Sequence, residues 1–168
     1  MRYDTEIETE LARKRIASKV IPILRQLSPH AQNIFLASIE RVAGDKYEEW
    51  ANQTENITVK ETLLKCAERE RTVADKIEEF YCDATDLQKE VDGLKLNLDE
   101  ITHDIYQGQS LRMQLAIQAN GERNGAAHWL DAANQTEDDD LSEILEDCAE
   151  LEMASAMDIE RILKTEVL

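Results

Sequence analysis

Proline and glycine are scarce in this chain of 168 residues, at 2 and 5 copies. So few chain breakers argue against a loop-rich architecture and for helices joined by short connections. Cysteine is scarce too. The 3 present, Cys66, Cys82 and Cys148, are too few and odd in number for a disulfide framework. No apolar run approaches the roughly 20 residues of a membrane span. The opening MRYDTEIETE is too charged for the apolar segment of a secretory signal. A cytoplasmic protein with no membrane association is therefore the expectation. Positive charge is also short: 19 Lys and Arg face 36 Asp and Glu, a net charge of −17. That argues against nucleic acid as a partner and suits the attraction of cations, although a solvated acidic coat would give the same number. There is no Gly-rich phosphate loop, no nucleophile elbow and no serine–histidine arrangement. The sequons Asn52-Gln53-Thr54 and Asn134-Gln135-Thr136 carry no weight without a secretory signal.

What the chain does have is a stretch from Leu63 to Phe80 in which Leu63, Cys66, Glu70, Val73, Ile77 and Phe80 fall on one helical stripe. Glu70 is the exception on that stripe, and a carboxylate among apolar neighbours needs a partner, a metal or a proton. At an offset of 82 residues the stripe recurs as Leu145, Cys148, Glu152, Ser155, Ile159 and Ile162. Ser28 recurs as Ser110, Gln32 as Gln114, Glu40-Arg41 as Glu122-Arg123, and ANQTE at 51–55 recurs at 133–137. The repeated unit is a helical hairpin, 28–82 and 110–164, within one domain spanning 1–168. Two such hairpins bury their stripes by packing into a four-helix bundle with a pseudo-twofold axis. Cys66 and Cys148 then read as small core residues.

The individual elements follow from local signals. A helix over 4–27 has Ile7, Leu11, Val20, Ile23, Leu24 and Leu27 as its apolar positions, and Pro22 is expected to kink it or split off a last turn. Ser28-Pro29 opens a helix to about Ala51. Thr58 with Glu61 reads as a capping box for a helix to about Tyr81, and Asp140 with Glu143 plays the same part for a last helix ending near Lys164. Leu87, Val91, Leu94, Leu98, Ile101 and Ile105 predict a single extra helix over about 87–107. Ser110 opens a helix to about Ala133. The stripes of the two extra helices need cover, either on the outside of the bundle or in a homodimer interface.

Each hairpin brings two inward-facing carboxylates, Glu40 and Glu70, then Glu122 and Glu152. Glu40 shares a helix face with Tyr47 and Ala51, and Glu122 shares one with Trp129 and Ala133. Four carboxylates meeting in a bundle repel one another, and divalent cations are one physical answer. The pattern resembles the ferritin-like superfamily, and rubrerythrin-type domains most closely. The resemblance lies in Glu40-x6-Tyr47-x3-Ala51 with Ala67-Glu68-Arg69-Glu70, and in Glu122-x6-Trp129-x3-Ala133 with Ala149-Glu150-Leu151-Glu152. It implies an all-α fold and a pair of iron or manganese ions held by Glu40, Glu70, Glu122 and Glu152, with iron oxidation or peroxide chemistry. The family's Glu-x-x-His histidines are missing: Val73 and Ser155 stand in their places. His30, His103 and His128 lie off the pattern and read as surface residues. The departure keeps a second reading open, a metal-free scaffold or protein-interaction module. There, arginines (Arg41 and Arg123, or Arg69 and Arg71) or shared protons would neutralise the glutamates. In a third reading Glu70 and Glu152 face a dimer interface.

Overall fold

The computed structural model describes residues 2–165 and is all-helical over them, with no strand among the described residues. Seven helices follow one another: α1 (Arg2–Leu24), α2 (Pro29–Gln53), α3 (Ile57–Phe80), α4 (Thr85–Asp92), α5 (Leu98–Tyr106), α6 (Leu111–Gln135) and α7 (Asp139–Lys164). The main packing is within the hairpins α2–α3 and α6–α7, which join chiefly through α3 and α7. No helix among the described residues is long and apolar enough to cross a membrane.

Helices α2 and α6 start at Ser28-Pro29 and Ser110 as read in the sequence, whereas α3 and α7 are capped two residues earlier than expected. Asn56, not the Thr58–Glu61 pair, caps α3 by accepting from the Val59 N–H at 3.1 Å. Asp138 does the same for α7 through Leu141, displacing the Asp140–Glu143 reading. Asn ranks above Thr as an N-cap. Ser110 caps α6 through Met113, whereas its repeat partner Ser28 gives both its N–H and its hydroxyl to Glu90 and so ties α2 to α4. The repeat survives in other bonds. Gln32 and Gln114 each donate to the carbonyl five residues back, Leu27 and Gln109. Arg41 holds Glu78 as Arg123 holds Glu160.

Along the four long helices the apolar core divides in two. One cluster joins Tyr47 and Trp50 of α2, Leu63 and Cys66 of α3, Leu115 of α6 and Ile159 of α7. The other joins Ala37, Val73, Ile77, Trp129, Leu141, Leu145 and Cys148 from the same four helices. On every one of them the repeated glutamate falls between the two clusters, so the carboxylates form a polar layer inside an apolar body.

The extra segments pack onto the hairpins. Helix α1 lies against α6 and α5, and α4 and α5 lie against α2. Val20, Ile23 and Leu27 join Ala31 and Phe35 in a third cluster, with Val91, Leu94, Leu98 and Ile101 against it. Leu11, expected on that stripe, is 56% exposed, and the side chain of Ile7 lies outside those described. Helix α1 also runs through Pro22 without splitting and ends two residues later. So close to the end, the lost proline amide removes a single bond. The single helix expected over 87–107 is instead α4 and α5, broken at 93–97. Asn97 turns out to be the α5 N-cap, accepting from Glu100, and Lys95 sits at φ 48°. A left-handed backbone costs an L-residue about 1–2 kcal/mol. Lys95→Gly is expected to raise unfolding stability by up to about 1 kcal/mol and Lys95→Val to lower it, as read by urea denaturation.

Candidate functional site

The stripes bring the four glutamates to the middle of the molecule, where Glu40 is 8%, Glu70 1%, Glu122 1% and Glu152 2% exposed. Glu40, Glu70 and Glu152 each offer one oxygen to a common point, the three lying within 4.8 Å of one another. Glu122 is not part of that triad. Its Oε1 accepts from the Tyr47 hydroxyl and from Gln118 Nε2, both at 2.6 Å. Ser155 donates to Glu70 Oε1 at 3.1 Å. Glu70 Oε2, Glu122 Oε2 and Glu152 Oε1 are buried without a donor. Glu152 has its conformation because residue 125 is glycine: a Cβ there would stand 2.7 Å from Glu152 Oε2.

No arginine enters the layer among the described residues. Arg41 pairs with Asp75 and Glu78, Arg69 with Asp158, Arg71 with Asp45 and Glu48, and Arg123 with Glu160, all away from the cluster. Burial therefore dominates the acid strengths. It pushes Glu40 up to about 8, helped by the nearby Glu122 charge. Burial likewise holds Glu70 and Glu152 well above the usual carboxylate range, with the neighbouring glutamates adding to it. Glu122 is raised by burial against the pull of its hydrogen bonds. Burial also drives the thiols of Cys66 and Cys148 up to about 12, which makes them inert core groups.

The arrangement bears on each residue expected at the site. Tyr47 shares a helix face with Glu40 but serves Glu122 of the other hairpin. Ser155, in one of the two histidine places, is a hydrogen-bond donor to the cluster, while Val73 in the other is apolar core. Gln118 was not anticipated; its position one turn before Glu122 on the same helix was the available signal. His103 is exposed, and His30 is exposed with its ring on the Tyr81 hydroxyl at 2.8 Å. His128 departs from the surface reading: it is half-buried and borders a cavity. That cavity, about 500 Å³, lies between α1, α2, α5 and α6, is walled by apolar side chains and reaches Glu40, Glu122 and Glu152 at its inner end. No family of known proteins, no curated protein and no solved structure matches the chain.

The raised acids set a pH dependence. Folded Glu40 keeps a proton up to about pH 8, whereas the same carboxyl in the unfolded chain loses it near 4.5. The folded state thus binds more protons between these values, and its stability falls as pH rises through them. In a chelator, the melting temperature is expected to be higher at pH 5.5 than at pH 8.5, and Glu70→Gln to flatten that difference. A profile that rises with pH would show the cluster to be ionised.

Proposed function

We propose that the chain is a ferritin-like bundle of four long helices whose carboxylate layer binds a divalent cation, Mn(II) or Fe(II), at Glu40, Glu70 and Glu152. Glu122 is the adjoining ligand through which a second ion would be held. The observation that carries this reading is the convergence of three buried carboxylates whose free oxygens meet no cationic side chain among the described residues. An all-oxygen donor set suits hard cations, and the loss of the imidazoles shifts preference toward manganese-like ions. When bound, a redox-active cation supplies electron exchange with dioxygen or peroxide. The chain's own groups do the positioning. Tyr47 and Gln118 fix Glu122, Ser155 fixes one oxygen of Glu70, and the two apolar clusters bound the layer on either side along the helices.

The test is metal content and affinity. Protein purified without chelator is expected to carry Mn or Fe by elemental analysis. Glu70→Gln and Glu152→Gln are each expected to lose it, and added Mn(II) to raise the melting temperature of the wild type alone. Gly125→Ala separates site geometry from stability. Its Cβ displaces the Glu152 carboxylate while the helix itself gains up to about 1 kcal/mol. Mn(II) affinity is expected to fall about tenfold or more with the metal-free fold intact. A metal-free scaffold is the second reading, supported by Val73 and Ser155 in the histidine places. It wins if the purified protein holds no metal and neither Mn(II) nor Fe(II) changes its melting.

A further inference from the structure

Helix α1 has two halves of opposite charge. Asp4, Glu6, Glu8 and Glu10 lie in the first, where Arg2 is the one base, and Arg13, Lys14, Arg15 and Lys19 lie in the second. Within a helix, charges three or four residues apart pair best when the acid comes first. Of the four acids only Glu10 has a base that far ahead of it, and it holds Arg13 at 3.5 Å and Lys14 at 3.6 Å as exposed, weak pairs. Lys19 is taken by Asp104 at 2.8 Å. Charges sorted in this way neutralise one another poorly along one helix. Two such helices lying antiparallel set each acidic half beside a basic half.

The same helix is only half covered. Ile16, Val20, Ile23 and Leu24 pack against the body. From Glu10 to Arg15 every described side chain is exposed. Leu11 is 56% and Ile21 42% exposed, and helical spacing turns both away from the side that carries Ile16, Val20 and Ile23. A stretch of helix with no buried side gains nothing from packing and is marginal alone.

We propose that α1 is the interface of a homodimer, in which the α1 helices of two copies pack antiparallel around Leu11. With the twofold axis between positions 11 and 12, Glu8 stands level with Arg15 of the second copy and Glu10 with Arg13 of the second copy. The symmetry makes each pair twice. Charge selects a second copy over other partners. The chain carries −17, so two copies repel over most of their surface. Helix α1 is the one helix of the seven in which bases outnumber acids, five to four, so the copies approach there with least repulsion. A polyanion would be repelled by the first half of α1 and a polycation by the second. The surface that matches both halves in reversed order is α1 itself. The proposal goes beyond cation binding and requires no cation.

The test is sedimentation velocity on the full chain, from about 100 μM downward, a range that covers the affinities of small interfaces. The wild type is expected to be a dimer that dissociates on dilution. Glu6→Lys, Glu8→Lys and Glu10→Lys combined give the acid-half variant; Arg13→Glu, Lys14→Glu and Arg15→Glu combined give the base-half variant. Each alone is expected to be monomeric, and the two mixed in equal amounts to form a heterodimer. The acid-half variant is less acidic than the wild type, so bulk repulsion alone would make it dimerise more tightly. Leu11→Ala is expected to weaken the dimer about tenfold or more, since both copies lose the side chain. Circular dichroism and melting check that each variant keeps the fold. Should a triple variant unfold, Glu8→Arg and Arg15→Glu, apart and mixed, carry the same test. A wild type monomeric throughout the range, dimers that persist in both charge variants, or a mixture that stays monomeric would overturn the proposal. Metal content plays no part in these readouts, so the cation reading and this one can fail independently.

Discussion

Four carboxyl groups buried in one layer of an apolar body are the constraint to which the rest of the structure answers. Taking an ionised carboxylate out of water costs several kcal/mol even after relaxation, and four together also repel. Such a layer persists only if positive charge enters it or if the acids keep their protons. The arginines nearest in sequence are all engaged at the periphery with surface acids. The neutralising charge is then mobile: protons, or cations from solution. That distinguishes this layer from an internal salt-bridge network, where the compensating charge is covalently part of the chain and nothing can be exchanged.

The repeat makes the layer nearly symmetric, and its departures from symmetry matter most. Val73 and Ser155 close one side with a methyl-bearing wall and a hydroxyl that turns to Glu70. On the other side Tyr47 serves Glu122, but the Trp129 indole N–H has no partner among the described residues. Ala43 is replaced in the repeat by Gly125, and the missing methyl is what lets Glu152 lie against α6. Each difference is small, yet together they leave one face of the layer sealed and the other facing a cavity roofed by α1 and α5.

Much of this was legible in the chain because it is written in period. Glutamates at 70 and 152 on otherwise apolar stripes announced buried acids, and the offset of 82 paired them. The stripe over residues 87–105 misled for the same reason that stripes inform. The short helices α4 and α5 both turn their leucines toward α2 and the end of α1, so the apolar spacing continues across a break that it cannot register. Gly93 and Asn97 were the local signs of that break. The cavity left no periodic trace. It arises because α2 and α6 stand apart while α1 and α5 cross the gap, a relation among four elements distant in sequence. The partner of Tyr47 was hidden likewise, since its hydroxyl crosses to the other hairpin.

On the proposed reading, protons and cations compete for the same oxygens, and that competition would set how the layer behaves. A carboxyl that keeps its proton to about pH 8, as Glu40 does, must release it before it can ligate. On that reading each cation bound near neutral pH would expel protons, and apparent affinity would rise with pH while the stability of the cation-free fold falls. The two trends have one cause, the preference of the apolar body for an uncharged layer. A divalent ion satisfies that preference best where the acids are least content, at the alkaline end. The exterior acts in the same direction: a net charge of −17 concentrates cations around the molecule without choosing among them. In the proposed site, selection would be left to the interior, where three glutamate oxygens lie within 4.8 Å of one another and would favour a hard cation.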